Sequence, residues 1–280
     1  MSNVSKNGPD VFCVIPTFNR VESLKNIIKL LDQQTYRSFK IIVVDDGSSD
    51  GTREYLEKLA KDKIIVLRGN GHLWWGGAAA MGIDYVVKNL KRIRFVLLLN
   101  DDSVVDANYL EEMVKDSENN NCAAVISPQC ALGERSISFT GYKLSYKKLE
   151  FYQTKGKDID ATVGRGLLIP ISIIHKVGNI KYHLFPHYMG DVEYTARIKE
   201  KGYPLVVSKN GKMYSDLNES DIDIQSRGEF VSYMHLRSKA NIRDRLLFFL
   251  TRGPIIYRLT AMPKILLKMF RWLMRWMISR

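Results

Sequence analysis

The sequence predicts an α/β fold: a doubly wound, mostly parallel sheet with a small antiparallel addition, followed by C-terminal amphipathic helices. Between residues 11 and 127, short and nearly all-apolar runs alternate with segments of helical periodicity, as is typical of parallel sheets covered by helices on both faces. The second observation is the charge distribution. Residues 237–280 contain eleven Lys/Arg and one acidic residue, so they carry +10 of the net charge of +12 in this 280-residue chain.

Five apolar runs predict the strands of the sheet, because such short runs suit strands buried on both faces. In chain order they are Val11–Pro16, Phe39–Val44, Lys63–Leu67, Phe95–Leu99 and Ala123–Ile126. Apolar residues three or four positions apart predict three of the intervening helices. They are Leu24, Ile27, Ile28 and Leu31 in the first, Tyr55, Leu56 and Leu59 in the second, and Tyr109, Leu110, Met113 and Val114 in the third.

From about Gly133 the pattern changes to shorter and more polar segments. Ser136–Tyr146 and Leu149–Tyr152 alternate in polarity, which is typical of antiparallel ribbons. The other predicted elements are a strand over Val163–Pro170, a helix near Ser172–Val177, a helix over Asp191–Lys201 and a strand over Tyr203–Ser208. We therefore predict one folded domain over residues 1–236 and a basic, amphipathic helical tail over residues 237–280.

Three of the predicted strands end in clusters of polar residues, which are Pro16–Arg20, Asp45–Asp50 and Asn100–Ser103. The carboxyl ends of neighbouring parallel strands meet at one edge of a doubly wound sheet, and ligands bind at that edge. Each cluster taken alone also suits an ordinary turn or helix cap. Three clusters at neighbouring strand ends favour a binding site.

The residue types in these clusters indicate the kind of ligand. Asp101 and Asp102 offer the hard oxygen ligands that Mg²⁺ or Mn²⁺ prefers. Two adjacent carboxylates repel each other, and a divalent cation bound with a diphosphate would neutralise them. Asp46 offers an acceptor for an N–H group on a base edge. No Walker A sequence occurs and no G-x-G-x-x-G follows the first strand, which argues against nucleotide hydrolysis and dinucleotide redox chemistry.

The composition of the chain excludes several further classes of protein. The residues outside the tail carry only +2, which argues against a nucleic-acid partner, because a duplex-binding domain spreads its cations over a folded face. Cys13, Cys122 and Cys130 are too scattered for a disulfide framework or a zinc site, and they suit a reducing compartment. The first ten residues lack the apolar region of a secretory signal, and no run of about 18 apolar residues occurs. We expect a cytoplasmic protein.

Several motifs together resemble the family 2 glycosyltransferases, which are inverting sugar transferases of the GT-A fold. The matching segments are Val14–Arg20 (VIPTFNR), Val44–Asp50 (VDDGSSD), Leu98–Ser103 (LLNDDS) and Met189–Arg197 (MGDVEYTAR). Gly69–Gly77 (GNGHLWWGG), Gly164–Pro170 (GRGLLIP) and Phe185–Tyr188 (FPHY) are similar to a subgroup of bacterial enzymes that build O-antigens, capsules and other surface polysaccharides. The resemblance runs from about Val11 to Asp216, and the order and spacing of the motifs make it specific.

The resemblance implies a role for individual residues. Asp46 would read the base N3–H of uracil or thymine, and Asp102, with Asp101 beside it, corresponds to the metal-binding motif. The implied nucleotide-sugar-binding residues are Thr17, Asn19, Asp46, Asn70, Gly71 and Asp101. Some relatives supply a further metal ligand from a histidine near Ser215; this chain has none there, and we expect Asp216 to replace it.

The resemblance assigns Asp191 as the catalytic base, with Glu193 and Arg197 holding its helix. As a base, the Asp191 carboxylate would take the proton from an acceptor hydroxyl whose oxygen attacks the anomeric carbon, in one displacement with inversion. Asp191 also follows Gly190 and opens a predicted helix, so it suits a helix N-cap. The two roles are compatible, since both need an ionised carboxylate.

Acceptor binding is expected from four residues, Trp74, Trp75, Arg165 and His187. Neighbouring side chains diverge, so we expect one tryptophan of the Gly69–Gly77 loop to pack and the other to line a pocket, where sugar faces stack on indole. The alternative is that both tryptophans lie in the core. Arg165 suits a phosphate contact or an ordinary salt bridge, and His187 an acceptor contact or a packed loop residue.

The spacing of basic and apolar residues in the tail predicts a membrane-associating helix. Lys264, Lys268, Arg271 and Arg275 lie at helical spacing on one face, and large apolar residues with two tryptophans cover the rest. Such a helix suits the plane of an anionic membrane interface. The alternative is a helix docked on a partner subunit in a homo-oligomer, because so broad an apolar surface is too large to leave in water.

Together these observations predict a metal-assisted, inverting glycosyltransferase, peripheral at the inner face of the cell membrane. It would move a hexosyl or deoxyhexosyl group from a UDP- or dTDP-sugar to a lipid-linked glycan acceptor in bacterial surface polysaccharide synthesis. Two alternatives stay open. A sugar-1-phosphate nucleotidyltransferase would want a Gly-rich loop with Arg and Lys after the first strand, where this chain has Pro16–Arg20. A non-catalytic membrane scaffold on the same fold is disfavoured by the intact Asp46, Asp102 and Asp191.

Overall fold

The computed structural model of this chain describes residues 9–59, 63–134, 136–186, 188–215 and 242–278, and of the last segment it describes the side chains over residues 243–267. In chain order the elements are β1 (Val11–Thr17), α1 (Val21–Asp32), β2 (Phe39–Asp45), α2 (Thr52–Lys58), β3 (Ile64–Arg68), α3 (Trp74–Asn89), β4 (Phe95–Leu98), β5 (Val104–Val105), α4 (Tyr109–Asn119), β6 (Ala124–Ile126), β7 (Gln129–Ala131), β8 (Ile137–Phe139), β9 (Gly141–Ser145), β10 (Glu150–Thr154), β11 (Leu167–Pro170), α5 (Ile171–Val177), α6 (Gly190–Glu200), β12 (Leu205–Val207), β13 (Met213–Ser215), α7 (Ile242–Thr251) and α8 (Ile255–Ile278).

A seven-stranded sheet forms the centre, in the order β12-β6-β11-β4-β1-β2-β3. All its neighbouring pairs are parallel except those of β11, which runs antiparallel to both β4 and β6. The predicted mostly parallel sheet is confirmed. The expectation that all five apolar runs are buried on both faces is wrong for β3, because this strand lies at the sheet edge, where Val66 is 37% exposed.

Helices cover both faces of the sheet, because alternate residues of each strand point to opposite sides. In β1, Phe12 and Val14 pack on the side of α3, α5 and α6, whereas Val11, Cys13 and Ile15 pack on the side of α1, α2 and α4. The apolar faces predicted for the first and third helices are buried as expected. The result is three layers, with the carboxyl ends of β1, β2 and β4 open at one edge.

The start of α3 differs from the expectation. The sequence predicts a loop over Gly69–Gly77, but the helix begins at Trp74. The backbone N–H groups of Leu73 and Trp74 donate to the Asp46 carboxylate, which satisfies donors that a helix start leaves free. Two glycines in the first turn do not break this helix because it packs closely: a Cβ on Gly76 would lie 3.2 Å from the Phe185 carbonyl oxygen.

Antiparallel strands extend the fold beside the central sheet. The predicted ribbon is confirmed as the β9–β10 hairpin. A second small sheet, in the order β5-β13-β7-β8, was not predicted in full, because its strands are only two or three residues long. The strand predicted over Val163–Pro170 begins only at Leu167, since the preceding residues form a loop that enters the candidate site.

The helices α7 and α8 pack against the rest of the chain. Phe248 and Phe249 of α7 are buried in one apolar cluster with Leu149, Val192 and Ala196. The predicted domain boundary at residues 236 and 237 lies outside the described residues and stays a prediction. In the described part of the chain, no helix is both long enough and apolar enough to cross a membrane.

Candidate active site

The polar clusters predicted at the strand ends meet at one edge of the sheet. At the end of β1, the Thr17 hydroxyl donates a 2.8 Å hydrogen bond to Asp101 Oδ2, just after β4, and both side chains are buried. The Asp46 N–H donates to the Thr17 carbonyl, which joins the end of β2 to the same place. Three segments far apart in the chain therefore supply one contiguous polar surface.

Asp46 organises the loop that leads into α3. Its carboxylate accepts three backbone N–H groups, from Gly71 at 2.9 Å, Leu73 at 2.8 Å and Trp74 at 2.9 Å. Because a carboxylate has about four acceptor positions, three bonds leave one for a ligand N–H. Gly69 must lack a side chain, since a Cβ there would lie 2.4 Å from Asp46 Oδ1. The predicted reading of the base by Asp46 stays a prediction.

Three other residues of the predicted nucleotide-sugar set lie around Asp46. Gly71 is one of the donors to its carboxylate, and the neighbouring Asn70 accepts from the His72 N–H at 3.0 Å. Asn19 adopts a positive φ of 53° and its side chain accepts from the Ser49 N–H at 2.7 Å, which ties the loop after β1 to the loop after β2. The predicted set is thus assembled in space.

Two carboxylates and two guanidinium groups form the centre of the site. Asp102 Oδ2 lies 3.2 Å from an Arg20 Nη and 3.3 Å from an Arg165 Nη. Burial raises the pKa of Asp101 to about 6, against the opposing effect of the Thr17 hydrogen bond and Arg20. Sequence reasoning assigned no role to Arg20, although its place at the end of the first motif was a usable signal. Both arginines also suit contact with a diphosphate.

The same carboxylates fit a divalent cation. Asp102 Oδ1 is buried and has no hydrogen-bond partner among the described residues, as expected for an oxygen that awaits a ligand. In the described part of the chain, no three His, Cys, Asp or Glu side chains form a metal cluster. Asp216, the predicted additional ligand, lies outside the described residues. Asp101 and Asp102 would therefore hold Mg²⁺ or Mn²⁺ together with ligands from outside this set.

Asp191 lies in the first turn of α6 and faces the loop before β11. Its Oδ2 accepts the Gly164 N–H at 2.8 Å, and its Oδ1 accepts the Val192 N–H at 2.8 Å. Burial raises the pKa of this carboxyl, and the two backbone hydrogen bonds and the charge of Arg165 oppose that effect. The N-cap residue of α6 is Met189 and no side chain of the described residues caps this helix, so the predicted N-cap role of Asp191 is wrong: Asp191 lies inside the first turn, and its Oδ1 accepts from the next residue. The carboxylate stays a base candidate.

Trp75 links the end of β4 to the loop before β11, whose Gly164 contacts Asp191. Its indole Nε1 donates a 2.8 Å hydrogen bond to Asn100 Oδ1, and its ring covers Gly164, where a Cβ would lie 2.1 Å from Trp75 Cη2. Trp75 therefore packs, as one tryptophan was expected to do. Trp74, half-buried with a positive φ of 54°, starts α3, and its predicted role as the pocket residue stays a prediction.

Arg165 takes the salt-bridge alternative in this structure. One Nη contacts Asp102 and the other donates to the Ser215 hydroxyl at 2.8 Å. The guanidinium therefore joins the loop before β11 to the end of β4 and to β13. Acceptor contact by Arg165 stays a prediction. His187 lies outside the described residues.

The chain is similar in sequence to known glycosyltransferases. A family model described as Glycosyl transferase family 2 matches residues 12–172, more than half of the chain. The GalNAc(5)-diNAcBac-PP-undecaprenol beta-1,3-glucosyltransferase of Campylobacter jejuni is 41% identical over 139 residues, which are 48% of this chain and 43% of that relative. The UDP-Glc:alpha-D-GlcNAc-diphosphoundecaprenol beta-1,3-glucosyltransferase WfgD of Escherichia coli is 26% identical over 142 residues, 50% of this chain and 54% of that relative. The matches thus span about half the length of these relatives.

A solved structure is similar over almost the whole chain. The mannosyltransferase PcManGT from Pyrobaculum calidifontis, in complex with GDP-Man and Mn²⁺, superposes with a TM-score of 0.60 at 13% identity. The match covers 93% of this chain and 74% of that one. At this identity the likeness shows the fold, and the GT-A architecture implied by the sequence motifs is confirmed.

Proposed function

Because the chain belongs to glycosyl transferase family 2, we propose that it transfers a sugar from a nucleotide-sugar donor to an acceptor hydroxyl, with inversion at the anomeric carbon. One arrangement carries the proposal. Arg165 contacts Asp102, and the N–H of the preceding residue, Gly164, donates to Asp191, so the candidate metal-binding acids and the base candidate lie on the two sides of one short loop segment. A sugar bound there would have its leaving group on one side and Asp191 on the other.

The Asp191 carboxylate acts as the general base in this proposal. It accepts the proton of the acceptor hydroxyl while that oxygen forms a bond to the anomeric carbon, and the bond from that carbon to the diphosphate oxygen breaks with its electron pair. The raised pKa of Asp191 makes the carboxylate a better proton acceptor than an exposed aspartate. The bonds to Gly164 and Val192 hold it in place for the attack.

The two arginines and the two acidic residues after β4 stabilise the departing diphosphate. Arg20 and Arg165 already converge on Asp102, and they would exchange part of that contact for the phosphate oxygens. A divalent cation held by Asp101 and Asp102 supplies Lewis-acid stabilisation of the leaving group when bound. Thr17 keeps Asp101 oriented through its hydroxyl.

The donor is proposed to be a UDP- or dTDP-sugar. The remaining acceptor position of Asp46 suits the N3–H of uracil or thymine, and the name of the Escherichia coli relative contains UDP-Glc. The acceptor is proposed to be a lipid-linked glycan of a bacterial surface polysaccharide, because the names of both relatives contain an undecaprenol-linked sugar. Sugar transfer would then take place at the cytoplasmic face of the membrane.

Thermal stabilisation of the full chain tests the donor. We expect UDP or dTDP, each with Mn²⁺ or Mg²⁺, to raise the unfolding temperature, and GDP or ADP to have a far smaller effect. A ligand at a hundred times its Kd stabilises the native state by about 2.7 kcal/mol, which is easily measured. The matching sugar nucleotide then serves as donor in a transfer assay. Equal stabilisation by GDP would show that Asp46 does not select the base.

The exposed side of α8 supports contact with a membrane. Its described apolar side chains include Ile255, 69% exposed, and Leu259, 73% exposed. Arg258 and Lys264 lie on the same helix, and Lys264 contacts the carbonyl of Lys147 at the tip of the β9–β10 hairpin. Cations beside an exposed apolar surface favour an anionic bilayer surface over neutral lipid. A second copy of the chain on this surface is the alternative occupant.

Flotation with vesicles tests this surface. We expect the full chain to float with vesicles containing anionic lipid and much less with neutral ones, because each cation near the surface contributes about 1 kcal/mol. Leu259→Asp should weaken flotation, whereas Leu132→Asp, a change of another exposed leucine away from α8, should not. A chain that stays unbound and forms a dimer sensitive to Leu259→Asp would replace the membrane proposal with the oligomer.

A further inference from the structure

A network of charged residues surrounds Glu193, two positions after Asp191 on α6. The Glu193 side chain is only 1% exposed, and Arg197 of the same helix donates to it from two nitrogens at 3.0 Å. Arg252 Nε lies 3.6 Å from Glu193 Oε1, and Lys181 Nζ lies 3.9 Å from the same oxygen. Arg252 immediately follows α7, so the cluster joins the predicted tail to the helix of the base candidate.

Arg252 also contacts the other end of α6. Its Nη1 lies 3.0 Å from Glu200 Oε2, and the neighbouring Gly253 N–H donates to Glu200 Oε1 at 2.8 Å. Glu193 and Glu200 are seven residues apart, about 10 Å along a helix axis and on the same face. One guanidinium therefore contacts two carboxylates that together span two turns of α6.

Apolar packing reinforces the same contact. Phe248 and Phe249 of α7 are fully buried and share a cluster with Val192 and Ala196 of α6. Val192 is the residue next to Asp191, and its N–H is one of the two donors to the Asp191 carboxylate. The end of α7 therefore shares one apolar cluster with the turn that presents the base candidate.

We propose that Arg252 is a positioning residue for sugar transfer, and that the C-terminal helix pair is a working part of the catalytic apparatus. By contacting Glu193 and Glu200, Arg252 holds α6 so that Asp191 faces the acceptor hydroxyl. This inference rests on the proposed role of Asp191. A shift of about 1 Å in a catalytic group is enough to lower turnover by up to about a hundredfold.

Removal of Arg252 leaves no buried carboxylate without a partner. Glu193 keeps Arg197 and Lys181, and Glu200 keeps the Gly253 N–H and the Tyr146 hydroxyl. The large penalty for breaking a buried ion pair comes from an uncompensated charge. We therefore expect Arg252→Met to fold, with its defect confined to the orientation of α6.

The test compares Arg252→Met and Arg252→Lys with the wild type in the full chain. Arg252→Met should lower kcat about tenfold and leave the donor KM within about twofold, since Asp46, Thr17 and Asp101 lie on other elements. Hydrogen exchange of the amides of residues 190–200 should become faster. Arg252→Lys should recover part of kcat, because one ammonium keeps the charge and loses the forked contact.

Lys201→Met is the matched control. It removes one positive charge just past α6, where the ammonium contacts the Lys176 carbonyl and forms no ion pair with a carboxylate in the described ranges. This variant should behave as the wild type in both measurements. Unchanged exchange in Arg252→Met would overturn the inference, as would a fall in kcat matched by an equal loss of nucleotide affinity. If the wild type transfers no sugar, the proposed function fails, whereas the exchange measurement still decides whether Arg252 holds α6.

Discussion

Asp191→Asn is expected to lower turnover by a factor on the order of 10² or more, which is the usual contribution of a general base. The amide cannot accept the proton of the acceptor hydroxyl at neutral pH. Donor affinity should stay near that of the wild type, because the proposed donor-binding residues Thr17 and Asp101 lie on other elements, at the end of β1 and just after β4. Steady-state kinetics and calorimetry with the donor nucleotide measure the two quantities separately.

The pH dependence of turnover gives a second measurement on the same variant. The Asp191 carboxyl must be ionised to act as a base, and burial raises its pKa. Wild-type kcat should therefore fall as the pH is lowered, at a pH above the ordinary range of an aspartate. Asp191→Asn should lack this acidic limb.

Asp158→Asn is the control for this prediction, since Asp158 is a surface aspartate, 80% exposed and paired with Lys143. It should leave kcat and its pH profile unchanged. If Asp191→Asn lost donor affinity and kept its turnover at saturating donor, Asp191 would not be the general base.

Asp102→Asn should abolish measurable transfer and strongly weaken nucleotide binding that depends on Mn²⁺ or Mg²⁺. The substitution removes one of the two formal negative charges available to the cation, at the side chain whose buried Oδ1 has no hydrogen-bond partner in the described parts of the chain. It also removes the charge that holds Arg20 and Arg165 at 3.2 and 3.3 Å. Titration of nucleotide with and without the metal ion separates the two effects.

The titration without metal shows whether the Asp102→Asn defect comes from the lost metal ligand or from the released arginines. Nucleotide binding without metal should change little in Asp102→Asn, because the arginines are then free to contact the diphosphate. Asp106→Asn, an exposed neighbour whose carboxylate accepts only a long 3.3 Å bond from Tyr214 among the contacts described, should behave as the wild type. Full transfer activity in Asp102→Asn would remove Asp102 from the metal site.

The sequence by itself determined most of the central sheet. Runs such as Val11–Pro16 and Phe39–Val44 are apolar at nearly every position, and only burial on both faces stabilises such strands in water. The helices were also predictable from the sequence, because residues such as Leu24 and Leu31 recur at helical spacing and lie on one apolar face. The polar clusters followed from strand direction, because parallel strands end at a common edge.

The secondary structure of short and glycine-rich segments could not be predicted in this way. The first turn of α3 carries Gly76 and Gly77, which lower helix propensity, and its stability comes from the distant Asp46 carboxylate and from close packing on Phe185. The two-residue strand β5 is too short to show a period. Local sequence contains no signal for these elements, since partners far along the chain decide them.

Only the tertiary structure decided which side chains of the site contact one another and what holds them in place. Arg165 meets Asp102 across 63 positions, and Asp191 meets Gly164 across 27. The contacts of the C-terminal helices were the least accessible to sequence: composition indicated a basic amphipathic tail, and the structure adds that Phe248 and Phe249 share a cluster with Val192 and that Arg252 lies between Glu193 and Glu200. Charge and hydrophobic period are properties of a segment, but a contact depends on two segments, and only packing brings the second one into place.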